Sequence, residues 1–182
     1  SEAFRGCTSL SYVHLPESLV FLDQCTFMDC TSLKKIDLPS GLRELGGRNF
    51  EGSGLTEVTL PDSLIELNIS EFTKTPIRSL YIPDTVTSVK GELHDCPELE
   101  VLRLPDTITN IPYFRDLPAL KTVYLPRDLT DVMMWLPSNN FANCPSIEEV
   151  ILHPECKYYE IRNGKVVQKY TGEVLMEIPA AK

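Results

Sequence analysis

Residues 30–45 read CTSLKKIDLPSGLREL, and the apolar side chains of this stretch do not follow a single helical period. Ile36-Asp37-Leu38 alternates between apolar and polar residues, which is typical of a strand because successive side chains point to opposite faces. Pro39 follows directly, and a proline inside a helix would remove a hydrogen-bond donor and clash with the preceding turn. The stretch therefore predicts a short strand that ends at a proline corner, followed by a second extended segment.

The same pattern recurs along the chain every 21 to 23 residues. Its corner prolines are Pro16, Pro39, Pro61, Pro83, Pro105 and Pro126. Apolar residues stand six, three and one positions before each of these prolines, and three and six positions after it. A seventh copy ends at Pro154 with one extra residue before the proline. Self-similarity at a fixed period of this length indicates a repeat solenoid.

One copy is too small to fold alone, because ordering its backbone costs more than its few apolar side chains return. Neighbouring copies remove this deficit by sharing a continuous core and a ladder of strands. We therefore predict a repeat domain over residues 1–154, with about seven copies of about 22 residues, of which the first is truncated. Because the sequence opens within a repeat, we expect it to be part of a longer chain.

Residues 155–182 break the period and carry a hairpin signal. Asn163-Gly164 lies between two apolar runs, and this dipeptide favours a type I′ turn, which needs positive φ at both central residues. Thr171-Gly172 marks another turn before a third strand, Val174 to Ile178. We predict a β-hairpin or three-strand segment that caps the last repeat or divides it from further repeats.

A second irregularity lies between Pro126 and Pro154, where five or six residues are inserted. The insertion includes Trp135, the single tryptophan of the chain. An insertion in a solenoid maps to a loop at the edge of a repeat. Trp135 either folds back over the stack or is an exposed apolar anchor for a partner, and the sequence leaves both interpretations open.

Composition restricts the classes of function. The formal net charge of −9 over 182 residues disfavours binding to the phosphate backbone of a nucleic acid. No apolar run approaches the ~18 residues that a transmembrane helix needs, so no membrane span is expected. A hydrophobic fraction of 42% supplies enough core and excludes a largely disordered chain.

The first copy also contains a phenylalanine and a cysteine at positions that recur. Ala3-Phe4, Cys7-Thr8-Ser9-Leu10 and Val13-His14-Leu15-Pro16 fit the pattern AFxxCxSLxxVxLP, and Phe and Cys return together at Phe27 and Cys30. The combination resembles the BspA-like leucine-rich repeats over nearly the whole chain. Departures from the pattern occur in the later copies. Gly52, Lys74 and Leu117 stand in the cysteine column when it is counted nine residues before the proline, and Leu93 lies near the phenylalanine column.

This resemblance implies a right-handed, β-rich superhelix with short helical or 3-10 turns on its convex side. It also implies a secreted or cell-surface protein, chiefly of bacteria, that acts in adhesion through protein–protein interaction. The expected partner is a host extracellular-matrix protein or another bacterial surface protein, and we expect the chain to be a monomer.

Residues with the potential for chemistry are few. Four of the six cysteines occupy one column, where stacking at about 4.8 Å fits a relaxed disulfide poorly, so small buried hydrophobes are the favoured interpretation. His94-Asp95-Cys96 would place a base beside a nucleophile, but adjacent side chains diverge. His153 and Cys156 are too few ligands for a metal site. We therefore predict no catalytic residue, no metal, no cofactor and no enzyme activity.

Function is then expected from a surface. Side chains two and four positions before each proline flank the inward pair and should lie on the concave face of the sheet. The candidate binding residues on this face are Tyr12, His14, Lys35, Asp37, Tyr81, Arg103 and Tyr124. Tyr and Arg dominate binding hot spots, although a merely solvated sheet face remains the alternative. The leading hypothesis is a non-catalytic protein-binding module, followed by a structural spacer that holds another domain away from the cell, and last by an enzyme that uses His94 or His153.

Overall fold

The computed structural model describes residues 1–130 and 140–179, which consist almost entirely of short strands and turns. The one helix among them is a single-turn 3-10 helix at Ile69–Phe72. The strands are, in chain order, β1 (Phe21–Leu22), β2 (Glu44–Leu45), β3 (Glu66–Asn68), β4 (Ser79–Tyr81), β5 (Ser88–Lys90), β6 (Glu92–His94), β7 (Val101–Arg103), β8 (Tyr113–Arg115), β9 (Thr122–Leu125), β10 (Glu149–Leu152), β11 (Tyr159–Arg162), β12 (Lys165–Gln168) and β13 (Val174–Glu177).

Equivalent strands of successive repeats pair in parallel. The largest sheet has the order β10-β9-β7-β4, with Leu80 opposite Leu102 and Leu102 opposite Val123. Two-stranded parallel sheets of β1 with β2, of β3 with β5 and of β6 with β8 lie on the other sides of the repeats. A chain that returns to the same position once per repeat is a β-solenoid, and the predicted repeat fold is confirmed.

The core is one cluster that runs along the stack. The residues six positions before the corner prolines are wholly buried in the inner repeats: Leu33, Leu55, Ile77, Leu99 and Leu120. They face their equivalents in the neighbouring repeats, which is why no copy can be removed without exposing the next. Leu10 of the first copy is only half-buried, because it has a neighbour on one side alone.

A second column of the core is aromatic. The rings of Phe4, Phe27, Phe50 and Phe72 stack with centroids 5.5, 6.1 and 6.0 Å apart and interplanar angles of 5° to 7°. Leu93 takes the next place, opposite Phe114 in the β6–β8 pair, so the predicted departure at Leu93 is confirmed. The column resumes with Phe114 and Phe141, whose centroids lie 5.0 Å apart.

The predicted cysteine column is wrong at two positions. Counted from the phenylalanine column, its members are Cys7, Cys30, Ser53, Thr75, Cys96, Leu117 and Cys144. Ser53 and Thr75 are buried, whereas Gly52 and Lys74 lie one position earlier with φ of +68° and +60°. Copies 3 and 4 have one residue fewer between this column and the proline, so a count from the proline misses it by one.

Pairing at the proline corner begins only at β4. The sequence predicts a strand at Ile36-Asp37-Leu38, but residues 35–38 and 57–60 form no paired strand in the structure. The outward residues of these two copies are Lys35, Asp37, Glu57 and Thr59. The paired copies present Tyr81, Arg103 and Tyr124 instead.

The C-terminal segment is a three-stranded antiparallel sheet in the order β11-β12-β13. Asn163 and Gly164 have φ of +50° and +69° at the β11–β12 turn, as a type I′ turn requires. The predicted hairpin is therefore confirmed, and the predicted third strand is present at Val174–Glu177. β11 packs next to β10, the last strand of the repeat sheet.

Candidate protein-binding face

The outward side chains two and four positions before the corner prolines form a continuous surface, which we call the strand face. Where its strands are paired, from β4 onward, Tyr81 is opposite Arg103, and Arg103 is opposite Tyr124. Ile151 of β10 continues the row next to Tyr124. Successive side chains of a strand point to opposite faces. Leu80 and Leu102 are wholly buried in the core, so Tyr81 and Arg103, which follow them, lie on the outer face.

Arg103 is held in place by two carboxylates. Its Nη2 donates to Asp84 Oδ2 at 2.9 Å and to Asp84 Oδ1 at 3.2 Å, and it lies 3.5 Å from Asp106 Oδ2. The hydrogen bond from Arg103 to Asp84 raises the pKa of the guanidinium above its usual range. Burial alone would raise the pKa of Asp84, but the hydrogen bonds from Arg103 and from the Asp106 N–H outweigh burial and lower it. The guanidinium is thus charged and oriented between the two tyrosines.

The two carboxylates that hold Arg103 were not predicted from the sequence. Asp84 and Asp106 directly follow their corner prolines, and the same column contains Glu17 and Asp62. An acidic residue at that fixed offset was a visible signal. Side-chain alternation assigns faces only within the strand, which ends at the proline, so it does not place this acidic column.

The other predicted residues lie on the N-terminal half of the strand face. Tyr12 is 69% exposed and His14 is exposed beside it. Lys35 Nζ lies 3.4 Å from Glu57 Oε1, and both side chains remain largely in solvent. Asp37 has no hydrogen bond or ion pair within residues 1–130 and 140–179. The structure thus brings Tyr81, Arg103 and Tyr124 together and leaves the N-terminal residues apart from them. Trp135 lies outside the described residues.

An open groove of about 730 Å³ lies on the strand face beside β4. Its walls are the unpaired segments 35–38 and 57–60, and Ser79 and Tyr81 of β4 stand at its far end. Tyr81 is 53% exposed. Its ring borders the groove on one side and, on the other, the row formed by Tyr81, Arg103 and Tyr124, which we call the tyrosine–arginine row.

Cys96, His94 and His153 each bond to neighbouring groups and not to one another's side chains. Cys96 Sγ contacts the carbonyl oxygens of Phe72 and His94, and burial raises the pKa of its thiol to about 11. The His94 ring instead pairs with Asp95 Oδ2 at 2.9 Å. His153 Nδ1 accepts the N–H of Glu155. No group of three or more metal-ligating side chains is found within the described residues, and no helix there is long and apolar enough to cross a bilayer.

The profile of the BspA-type leucine-rich repeat region, in six copies, matches residues 1–94 and 91–163. The chain belongs to this family. The resemblance identified from the sequence is therefore confirmed.

Solved structures of other leucine-rich repeat proteins share this fold. A leucine-rich repeat protein from Bacteroides ovatus is 23% identical, with a TM-score of 0.69 over 86% of this chain and 41% of that one. A leucine-rich cell surface protein from Faecalibacterium prausnitzii is 20% identical, with a TM-score of 0.63 over 87% of this chain and 43% of that one. This BspA-type chain thus spans about two fifths of their length. A search of curated proteins gives no significant match.

Proposed function

We propose that this BspA-type repeat chain is a non-catalytic protein-binding module that engages a protein partner through the strand face. The observation that supports this function most is the row of Tyr81, Arg103 and Tyr124, one from each of three neighbouring repeats in register. Tyr and Arg are the residue types that supply most of the binding energy in protein interfaces. A row of them on paired strands is a rigid anchor.

The fixed position of Arg103 supports the same proposal. Ordering a long side chain at an interface costs about 0.5–1.5 kcal/mol, and Asp84 and Asp106 hold Arg103 before any partner arrives. Arg103 retains further N–H donors on its guanidinium fork for a partner's carboxylate or carbonyl oxygen. A merely solvated face would not need this arrangement.

We further propose an extracellular or cell-surface location and a role in adhesion to a host extracellular-matrix protein or another bacterial surface protein. The leucine-rich cell surface protein from Faecalibacterium prausnitzii has the same fold, which favours this location. In this proposal residues 1–154 are the binding domain, residues 155–182 are a cap or divider, and the chain acts as a monomer.

The experiment compares three forms of the chain on a panel of immobilised extracellular-matrix proteins and purified bacterial surface proteins. The first is the wild type, and the second carries Tyr81→Ala with Tyr124→Ala. The third carries Tyr170→Ala, at an exposed tyrosine in the turn between β12 and β13. We expect the double variant to lose at least about thirtyfold in affinity for the captured partner, the size of a hot-spot loss. The Tyr170→Ala control should bind as the wild type does.

Thermal unfolding of the same three forms separates binding from folding. Tyr81 and Tyr124 are not core residues, so the melting temperature of the double variant should stay within a few degrees of the wild type. Unchanged affinity of the double variant would reject the strand face as the binding surface. The structural spacer is the second candidate. It is favoured if the wild type binds nothing on the panel and the parent gene carries an enzymatic or lectin domain beside these repeats.

A further inference from the structure

Two cysteines of the first and second repeats lie next to each other in the cysteine column. In chain order this column holds Cys7, Cys30, Ser53, Thr75, Cys96, Leu117 and Cys144. Cys7 and Cys30 are the only two cysteines of the chain that occupy the column in neighbouring repeats, because Leu117 separates Cys96 from Cys144. All six cysteines lie within the described residues, and all six are free thiols there. The register of the column thus sets one pair of thiols side by side.

Backbone hydrogen bonds hold together the two turns that carry this pair. The Phe4 N–H donates to the carbonyl oxygen of Thr26 at 2.9 Å. The Gly6 N–H donates to the carbonyl oxygen of Met28 at 2.8 Å. Neighbouring chain segments that are bonded in this way lie ~4.8 Å apart. Disulfides join residues whose Cα atoms are ~4.4–6.8 Å apart, so the spacing of the two repeats suits a crosslink.

A shared acceptor places the Cys30 thiol against the turn of Cys7. Cys30 Sγ donates to the carbonyl oxygen of Phe4 at 3.0 Å, and the Cys7 N–H donates to the same oxygen at 3.0 Å. Burial raises the pKa of the Cys30 thiol, and the nearby Cys7 N–H offsets part of this rise. The side chain of Cys30 thus points toward the first repeat. The side chain of Cys7 is exposed and is free to rotate about its Cα–Cβ bond toward Cys30.

The first repeat can make the small movement that a disulfide requires. Cβ atoms stacked at ~4.8 Å are about 1 Å too far apart for a relaxed disulfide. Inside the stack this movement is opposed by the repeats on both sides, as for the wholly buried Leu33 and Phe27. The first repeat packs on one side alone, so Leu10 is only half-buried and Phe4 is 42% exposed. It is therefore the repeat that can close the distance.

We propose that Cys7 and Cys30 form a disulfide that fastens the first repeat to the second. Disulfides form and persist in the oxidising surroundings of extracellular proteins, which the proposed location supplies. The inference goes beyond the proposed binding function, because it concerns a covalent bond between repeats and not the strand face.

The bond forms by two thiol–disulfide exchanges with a small disulfide such as oxidised glutathione. In the first, the Cys7 thiolate attacks one sulfur of the oxidant, and one glutathione thiolate leaves and takes up a proton. In the second, Cys30 loses its proton to solvent, and its thiolate attacks the sulfur of Cys7 and displaces the other glutathione. Two thiols of the chain are oxidised, and one molecule of oxidised glutathione is reduced to two of glutathione. Because Cys30 is wholly buried, the second exchange requires a local opening of the first repeat.

Oxidation of the whole chain in a glutathione redox buffer tests the proposal. Free thiols are then blocked with N-ethylmaleimide, and mass spectrometry of the intact chain and of its peptides locates the bond. We expect the native chain to lose two hydrogen atoms and to yield one crosslinked peptide that contains Cys7 and Cys30. Cys7→Ser and Cys30→Ser should each abolish this peptide, whereas the matched variant Cys25→Ser should form it as the wild type does.

The same oxidation in guanidinium chloride separates the effect of the fold from that of sequence distance. Cys25 is nearer to Cys7 in the sequence than Cys30 is, and loop closure in an unfolded chain depends only weakly on loop length. The denatured chain should therefore join Cys7 to Cys25 at least as often as to Cys30. The native chain should favour Cys30 over Cys25 by at least about tenfold, because only the fold aligns the first pair.

Hydrogen exchange tests whether the bond fastens the first repeat. Exchange of the Phe4 and Gly6 N–H groups should be at least about tenfold slower in the oxidised chain than in the reduced chain, since the disulfide opposes opening of this repeat. Thermal melting shows that the Cys30→Ser variant is folded. A serine is suited to this place because Ser53 is buried in the same column.

Four results would overturn the proposal: a native chain that keeps all its thiols, one that stops at a glutathione adduct on Cys7, one that joins Cys7 to Cys25 as often as to Cys30, or equal exchange in the oxidised and reduced chains. These outcomes are independent of the proposed function. Binding of a protein partner through the strand face is measured on the reduced chain, so either proposal can fail while the other stands.

Discussion

The backbone N–H of Asn49 donates a 2.6 Å hydrogen bond to Oε2 of Glu71, its equivalent in the next repeat. One repeat earlier, the Thr26 N–H donates to Asn49 Oδ1 at 3.0 Å. Thr26, Asn49 and Glu71 thus form a buried polar ladder beside the phenylalanine stack. Burial raises the pKa of the wholly buried Glu71 carboxyl to about 7, against the lowering effect of the hydrogen bonds from Asn49.

Stability should therefore fall between about pH 4.5 and pH 7. Below pH 4.5, the ordinary carboxyl value, Glu71 is protonated in both the folded and the unfolded states. As pH rises toward 7, the unfolded chain releases the proton while the folded chain retains it, so folding becomes less favourable by about 3 kcal/mol in total. Urea unfolding from pH 4.5 to 8 measures this slope. In Glu71→Gln this pH-dependent loss of unfolding free energy should disappear. In Glu173→Gln, a substitution at an exposed position, the loss should stay as in the wild type. Equal slopes in all three forms would contradict the shifted pKa.

The aromatic stack predicts graded losses of stability. Phe50 is wholly buried between two rings, at 6.1 and 6.0 Å, whereas Phe4 is 42% exposed and stacks on one ring. Phe50→Ala should cost about 3–5 kcal/mol, since it removes a large buried side chain and leaves a cavity. Phe4→Ala should cost about 1 kcal/mol, because it creates no closed cavity. Urea unfolding of the two variants checks the order, and a comparable loss at both positions would rule out the stack as drawn.

Cysteine labelling should report the position of each thiol. All six cysteines are free; Cys7 is exposed, while Cys30, Cys96 and Cys144 are buried. Burial raises the pKa of the Cys30, Cys96 and Cys144 thiols, and those of Cys96 and Cys144 reach about 11. Because the thiolate is the reactive form, iodoacetamide at neutral pH should modify Cys7 at least about a hundredfold faster than these three. Peptide mass spectrometry measures the rates, and the denatured chain, in which all six react alike, is the control.

The backbone of the third repeat approaches the second so closely at position 54 that glycine is required there. A Cβ atom on Gly54 would lie 2.1 Å from the backbone oxygen of Thr31, whereas one on Gly41 would have its nearest neighbour at 3.8 Å. Gly54→Ala should therefore cost about 2–3 kcal/mol through displacement of the backbone. Gly41→Ala should change the unfolding free energy by less than about 0.5 kcal/mol. If thermal or urea unfolding finds the two substitutions equivalent, the close approach of the third repeat to the second is wrong.

Some columns of the core follow from the sequence and others do not. Leu33, Leu55 and Ile77 could be assigned to the core because their offset from the proline is constant. Ser53 and Thr75 could not, since a deleted residue shifts them and neither resembles a cysteine. The signal that marks the true register is the positive-φ position just before the column, occupied by Gly6, Asp29, Gly52, Lys74, Asp95, Asp116 and Asn143. Six of these seven residues are Gly, Asp or Asn, the types that adopt positive φ most readily, and only Lys74 departs from this pattern.

The strand face shows the same division. Alternation was enough to place Tyr81, Arg103 and Tyr124 outside the core, but not to show that Asp84 and Asp106 hold Arg103. Nor could it show that the corner strands pair only from β4 onward, which opens the groove beside Asp37. Contacts between side chains of different repeats depend on rotamers and on the spacing of the repeats, and neither has a period in the sequence.

The sequence alone determined that this chain is a stack of repeats that no single copy could form, because a period of about 22 residues with constant apolar offsets has one efficient way to bury its side chains. Tertiary structure decided where the stack is tightly paired and where it is open. That outcome depends on hydrogen bonds between the backbones of neighbouring repeats, which need close alignment in space and leave no mark in the apolar pattern.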